Sequence, residues 1–149
     1  MVNVKGESLI LVRAGEMERR EISEQEVLEE IRRCAEDTGG FCLQLEQEIP
    51  QYVTIAHGSR PGSSFDYRIE EALVTDGELE HVSRKRLYNY PTQDDCIHKY
   101  KITSASFAIK ICQYGNDYGG KWLERVDITV YGNCPFLSKL KDLQKELEI

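Results

Sequence analysis

The sequence predicts an α+β fold: a mainly antiparallel sheet of about six to eight strands built from hairpins, with one helix in the first third (about 24–38) and one at the C-terminal end (about 135–148) packed on it. Three observations predict it. Most of the chain from Phe41 to Val130 falls into short runs with a two-residue apolar period, and two segments carry the three-to-four-residue period of a helix. The strands are also grouped together instead of alternating with helices, as a doubly wound parallel sheet would require.

Ser8 to Arg13 is a short apolar run bounded by Gly6 and Gly15, suited to a buried strand, and Glu16 to Ile22 offers it a hairpin partner. At Ser23 the signal changes. Ser23 and Glu26 form an S-x-x-E capping box, flanked by Ile22 and Val27 in the positions of a hydrophobic staple. Val27, Leu28, Ile31, Cys34 and Ala35 then recur on one helical face, and Gly39-Gly40 supplies a stop. Phe41, Leu43 and Leu45 alternate with Cys42, Gln44 and Glu46, which reads as a half-buried strand ending before Pro50. A short strand is expected over 51–56, followed by a loop from Gly58 to Ser64.

Alternation resumes at Phe65, Tyr67 and Ile69, and Asp76-Gly77 predicts a tight hairpin turn into residues 78–90. The longest strand is expected from Tyr100 to Tyr114, answered by Trp122, Val126, Ile128 and Val130 as a central hairpin. Pro135 suits a first helical turn, because it lacks a donor that the helix would not use there. Phe136, Leu137, Leu140, Leu143 and Leu147 complete an apolar stripe that should pack on the sheet.

No linker, low-complexity tract or repeat interrupts the 149 residues, so one domain spanning 1–149 is expected. A composition of 40% hydrophobic and 30% charged residues fits a water-soluble globular chain. No apolar run reaches the roughly 18 residues of a membrane span, and the start lacks the apolar block of a secretory signal, so no membrane contact and a cytoplasmic location are expected. Five cysteines without paired spacing read as free thiols.

The net charge of −7 is unevenly placed: residues 1–50 hold 12 acidic and 6 basic side chains, and residues 51–149 hold 14 and 13. Long-range repulsion from phosphate backbones makes bare nucleic acid a poor partner and a basic protein a good one. The acidic helix face, with Glu24, Glu29, Glu30, Glu36 and Asp37, is the expected partner-binding surface, joined by Tyr88 and Tyr90 as aromatic anchors.

Two tetrads share the pattern H-x-S-R: His57-Gly-Ser-Arg60 and His81-Val-Ser-Arg84. They resemble the paired H-x-[S/T] motifs of the 2H phosphoesterases. That resemblance implies catalysis by His57, Ser59, His81 and Ser83, with two imidazoles dividing acid and base roles around a phosphate. The separation of 24 residues is shorter than is usual in that family. Asp94-Asp-Cys-Ile-His98 places Cys96 and His98 on one face of a strand, where they could activate a thiolate or contribute to a metal site. Without C-x-x-C or H-E-x-x-H spacing, no metal site is assigned. Arg60 in its Gly/Ser/Pro loop could hold an anion, and Arg84 to Tyr90 mixes cations with rings as single-stranded nucleic acid contacts do.

There is no G-x-G-x-x-G and no phosphate-binding lysine motif, and no cofactor is expected. The leading expectation is a protein-binding or inhibitory module, of the general character of immunity proteins, whose acidic surface engages a basic partner. A phosphoesterase-like enzyme and an RNA-binding domain are the alternatives. The sequence sets no oligomeric state.

Overall fold

A computed structural model describes residues 9–15, 19–36, 40–60, 67–86, 96–116 and 123–147. Its elements in order are β1 (Leu9–Arg13), β2 (Arg19–Ile22), α1 (Glu24–Glu36), β3 (Phe41–Glu46), β4 (Tyr52–Arg60), β5 (Tyr67–Thr75), β6 (Glu78–Arg86), β7 (Cys96–Thr103), β8 (Phe107–Asn116), β9 (Leu123–Gly132) and α2 (Leu137–Leu147). The class is α+β. The sheet is larger than expected and mixed, with nine strands in the order β3-β9-β8-β5-β4-β7-β6, and β1 pairing with both β2 and β5.

The parallel pair is β3 with β9, where Phe41 lies opposite Val126 and Leu45 opposite Val130. A tight turn reverses the chain and forces antiparallel pairing, but β3 follows a helix that crosses the sheet, which frees its direction. The helix positions also shift: α1 starts where the capping box places it, whereas α2 begins two residues after Pro135. Leu137 N–H donates to the Cys134 carbonyl across three residues, so Pro135 sits in a tight turn before the helix.

The α1 cap is formed from both sides. Glu26 N–H donates to Ser23 Oγ at 3.2 Å, and Ser23 N–H donates to Glu26 Oε1 at 3.2 Å. Ile22 and Val27 are buried together in the core beneath α1 and α2. That core takes Leu9, Leu11, Ala72, Val74, Ile109 and Ile128 from the sheet, and Phe136 meets Phe107 edge-on at 5.6 Å.

A second core lies on the other face. Val12 and Leu73 alternate with the residues of the first core and join Val53, Ile55, Leu79, Tyr100 and Ile102. This arrangement depends on a fork in the sheet. The first half of β5 pairs with β4 through Tyr67–Glu70, and its second half pairs with β1 through Ala72–Thr75. Between them, the Glu71 carboxylate accepts the Ala56 N–H at 2.8 Å and pairs with Lys110 at 3.0 Å, while its carbonyl accepts Ala14 N–H. Glu71 thus supplies the partner that Ala56 would otherwise lack.

Two expected hairpins form differently. Asp76-Gly77 does not fold β6 back on β5, because among the described residues β6 pairs with β7 alone. Instead the Asp76 carboxylate accepts from Ser106 N–H, Ser106 hydroxyl and Phe107 N–H, tying down the corner between β7 and β8. A Cβ on Gly77 would lie 2.7 Å from the Thr103 carbonyl and from Ala105, so the corner closes only over glycine. The expected strand from Tyr100 to Tyr114 is split at that same corner, where Ser104 has φ 54°. Its second half, β8, still forms the expected hairpin with β9.

Candidate functional site

The order β4-β7-β6 puts the two H-x-S-R tetrads on the strands flanking β7. The first is not in a loop: β4 continues through His57, Gly58, Ser59 and Arg60, because these residues pair with Tyr67–Glu70. Ser59 and Arg60 are placed by their backbone, and their side chains lie outside what is described. Across the ladders, Cys96 lies opposite His57 and Arg86, His98 opposite Ile55 and Arg84, and Tyr100 opposite Val53 and His81.

His57 and His81 are therefore two strands and four residues apart. At standard spacings their Cα atoms are separated by about 16 Å. What lies between them is His98, which is 1% exposed. Its Nδ1 sits 2.9 Å from His81 Nε2, and its Nε2 sits 3.3 Å from Cys96 Sγ. The His81 ring also contacts Tyr100, with centroids 5.2 Å apart. A register shift between His81 and Ser83 accommodates an extra residue in β6, and such a bulge re-aims the neighbouring side chain.

The buried end of this chain lies beneath the turn after β1. Cys96 Sγ approaches the Ala14 carbonyl, and the His57 ring packs on Gly15, where a Cβ would stand 2.9 Å from His57 Nδ1. Burial, followed by the charges of His81 and Arg84, lowers the His98 pKa below its ordinary value, with the Ala14 carbonyl opposing. His98 is thus a neutral imidazole at pH 7. Both its nitrogens are committed to different neighbours, so the cluster is linear and does not converge on a point. Among the described residues, no group of three or more His, Cys, Asp or Glu side chains could hold a metal ion.

On the other side of His57 lies a cavity of about 180 Å³, lined by Arg13, Gly15, Glu30, His57, Glu70 and Glu71 among others. His57 and Glu70 are direct cross-strand partners. Glu30 is tied to Arg13 and to Arg33. Burial pushes its pKa up, but the hydrogen bonds and charges of Arg33 and Arg13 outweigh this and leave it lowered.

The acidic face of α1 is partly engaged within the chain. Glu24 pairs with Lys139 on α2 at 2.6 Å, Glu29 accepts from Gln25 at 3.2 Å, and Arg32 bridges to Glu146. The Glu36 side chain, Asp37, Tyr88 and Tyr90 lie outside the described residues. Ser83 is half-buried on β6, and Arg84, Lys85 and Arg86 are exposed beside it.

A feature that sequence reasoning missed is the edge formed by β3. Leu45 is 49% exposed, and a surface groove runs past it along Glu46, Glu48, Ile49, Pro50 and Tyr131. Alternation showed which face Leu45 would take, but not that the helix layer stops short of it. The role of His98 was also hidden, since its link to His81 depends on the pairing of β6 with β7.

Searches against protein-family models, curated proteins and solved structures found no match. The resemblance to the 2H phosphoesterases therefore rests on the two tetrads alone. Among the described residues, no helix is long and apolar enough to cross a membrane.

Proposed function

We propose that this chain is a protein-binding module that engages a basic partner, and that the partner adds an extended segment to the β3 edge. The observation that supports this reading is the state of that edge. Among the described residues β3 pairs only with β9. It carries no proline, no lysine and no register shift that would discourage a further strand.

The register identifies which backbone groups are open. The Gly40 carbonyl accepts Val126 N–H, so the even-numbered residues of β3 face β9. Alternation then turns the N–H and C=O groups of Phe41, Leu43 and Leu45 outward. Added main-chain hydrogen bonds would supply affinity, and cover for Leu45 would supply apolar burial. Glu46 and Glu48 are exposed beside it and favour a cationic occupant. A second copy of the chain would bring another net charge of −7 and the same carboxylates.

Leu45→Pro tests the edge directly, because it removes an outward N–H from a side chain already half in solvent. NMR titration with a synthetic peptide alternating lysine and valine should shift the Leu43 and Leu45 amides of the native chain, and weaken as salt rises. An acidic peptide of the same pattern should leave them unmoved. Leu45→Pro should abolish the response while keeping the remaining amide spectrum. Shifts confined to α1 would move the surface back to Glu24 and Glu29, and a dimer dissociated by Leu45→Pro would replace the cationic partner with a second copy.

A further inference from the structure

We propose that His81 is the acid–base residue of a site for a small phosphate-type oxyanion, held in one tautomer by the buried His98 and assisted by Arg84. The inference stands on proton placement along a chain of named atoms and is independent of the β3 edge.

The chain begins at a carbonyl, which only accepts. The Cys96 thiol donates to the Ala14 carbonyl, which leaves the sulfur as an acceptor 3.3 Å from His98 Nε2. A neutral imidazole has one N–H. Placing it on Nε2 satisfies that buried acceptor and leaves Nδ1 as a bare lone pair. His81 Nε2, 2.9 Å away, must then be the donor. His81 accordingly carries its proton on Nε2 when neutral, and its own Nδ1 is the free base. Which nitrogen of a histidine is protonated is set by the bond the other one makes.

The positions of the two rings match these roles. His98 is enclosed and cannot meet a ligand, whereas His81 is exposed on β6, with no described residue bonded to Nδ1. The bulge after His81 and the ring contacts with His98 and Tyr100 fix its direction. The surroundings are cationic. Arg84 and Arg86 are the ladder partners of His98 and Cys96, and Arg84 is near enough to act on His98. Arg19 of β2 likewise acts on Tyr100. No carboxylate is the ladder partner of Cys96, His98 or Tyr100.

The chemistry follows from that geometry. A dihydrogen phosphate arriving beside Arg84 transfers one proton to His81 Nδ1 and becomes the monohydrogen phosphate dianion. The ring then holds N–H groups on both nitrogens: Nε2–H still donates to His98, and Nδ1–H donates to a deprotonated oxygen of that dianion. Reversal returns the proton. His98 is a positioning residue here, since it acts only through His81.

The experiment uses the full chain labelled with ¹⁵N in its histidines, and inorganic phosphate as the probe. Without phosphate, His81 should show the Nε2–H tautomer. Phosphate should shift His81 Nδ1 in a saturable way, while sodium chloride at matched ionic strength should not. Arg84→Gln should weaken the titration about tenfold, as expected for loss of a charge-assisted hydrogen bond. His98→Leu should release His81 into a mixture of tautomers. His98→Asn should restore the single tautomer, because an amide oxygen can accept where Nδ1 did, and a purely structural role for His98 would not produce that rescue. An Nδ1–H tautomer in the native chain, or phosphate shifts that spare His81, would overturn the proposal. Equal titration by acetate would change the ligand class to carboxylates and overturn the phosphate assignment.

Discussion

Two edges of the sheet, β6 and β3, are built on opposite terms. β6 is a charged edge: Glu78, Glu80, Arg84, Lys85 and Arg86 are all exposed, and the register slips at Val82, itself 46% exposed. Each of these features discourages a second sheet from adding to it. β3 carries a single charge, Glu46 at its end, and no register shift. It exposes Leu45 and pairs in parallel, the less favourable geometry for a strand covered on one side. An unblocked edge is a liability in a free protein, and its persistence beside a well-blocked one supports the reading of β3 as an interface. The blocked edge, in turn, uses its bulge to aim His81.

The contrast can be tested first through what each edge rests on. Ile128, fully buried beneath the β3 ladder, should cost about 2–5 kcal/mol when cut to alanine, whereas Val82→Ala on β6 should stay within about 0.5 kcal/mol. Urea unfolding of the two variants measures the difference. Similar losses would mean that β6 is held by side-chain packing at Val82 and not by its charges and ladder.

Proline provides a finer test on β3 itself. Gln44→Pro should destabilise by about 1–3 kcal/mol, since its N–H faces β9 and its removal leaves a buried carbonyl unmatched. Leu45→Pro should change stability by less than about 1 kcal/mol, because its N–H faces outward. Thermal unfolding distinguishes them. The reverse ranking would invert the assignment of outward groups, and with it the proposed docking register.

The smallest expected effect concerns pH and the β6 side. The folded pKa of His98 is lowered, chiefly by burial, from an ordinary value of 6.5. The unfolded chain therefore takes up this proton more readily than the folded one. The contribution to stability is complete above the unfolded value and is lost as the pH falls through the window toward the lowered folded value. Amide protection in β6 and β7, taken relative to the intrinsic exchange rate at each pH, should fall between pH 7.5 and 5.5 while β3 keeps its protection, and His98→Asn should remove that difference. A uniform fall in protection at both edges would show that His98 does not govern the pH response. The thiols add no competing titration near neutrality in the two cases that are shifted most: burial pushes Cys112 up to about 12 and Cys134 up to about 11.

The sequence by itself determined the local features whose causes lie within a few residues. The capping box at Ser23 and Glu26, the staple of Ile22 and Val27, the Leu stripe of α2, the period-two strands and the free thiols are of this kind. It also showed that Cys96 and His98 share a face. Tertiary structure decided what pairs with what. The parallel arrival of β3, the fork closed by Glu71, the use of Asp76 to bind the β7–β8 corner, and the meeting of His81 with His98 all join residues 17 or more positions apart, or depend on strands that are. Alternation fixes the face a side chain takes, but not the strand beside it. Strand partnership is a non-local choice set by the two cores, which is why the histidines were visible in the sequence and their connection was not.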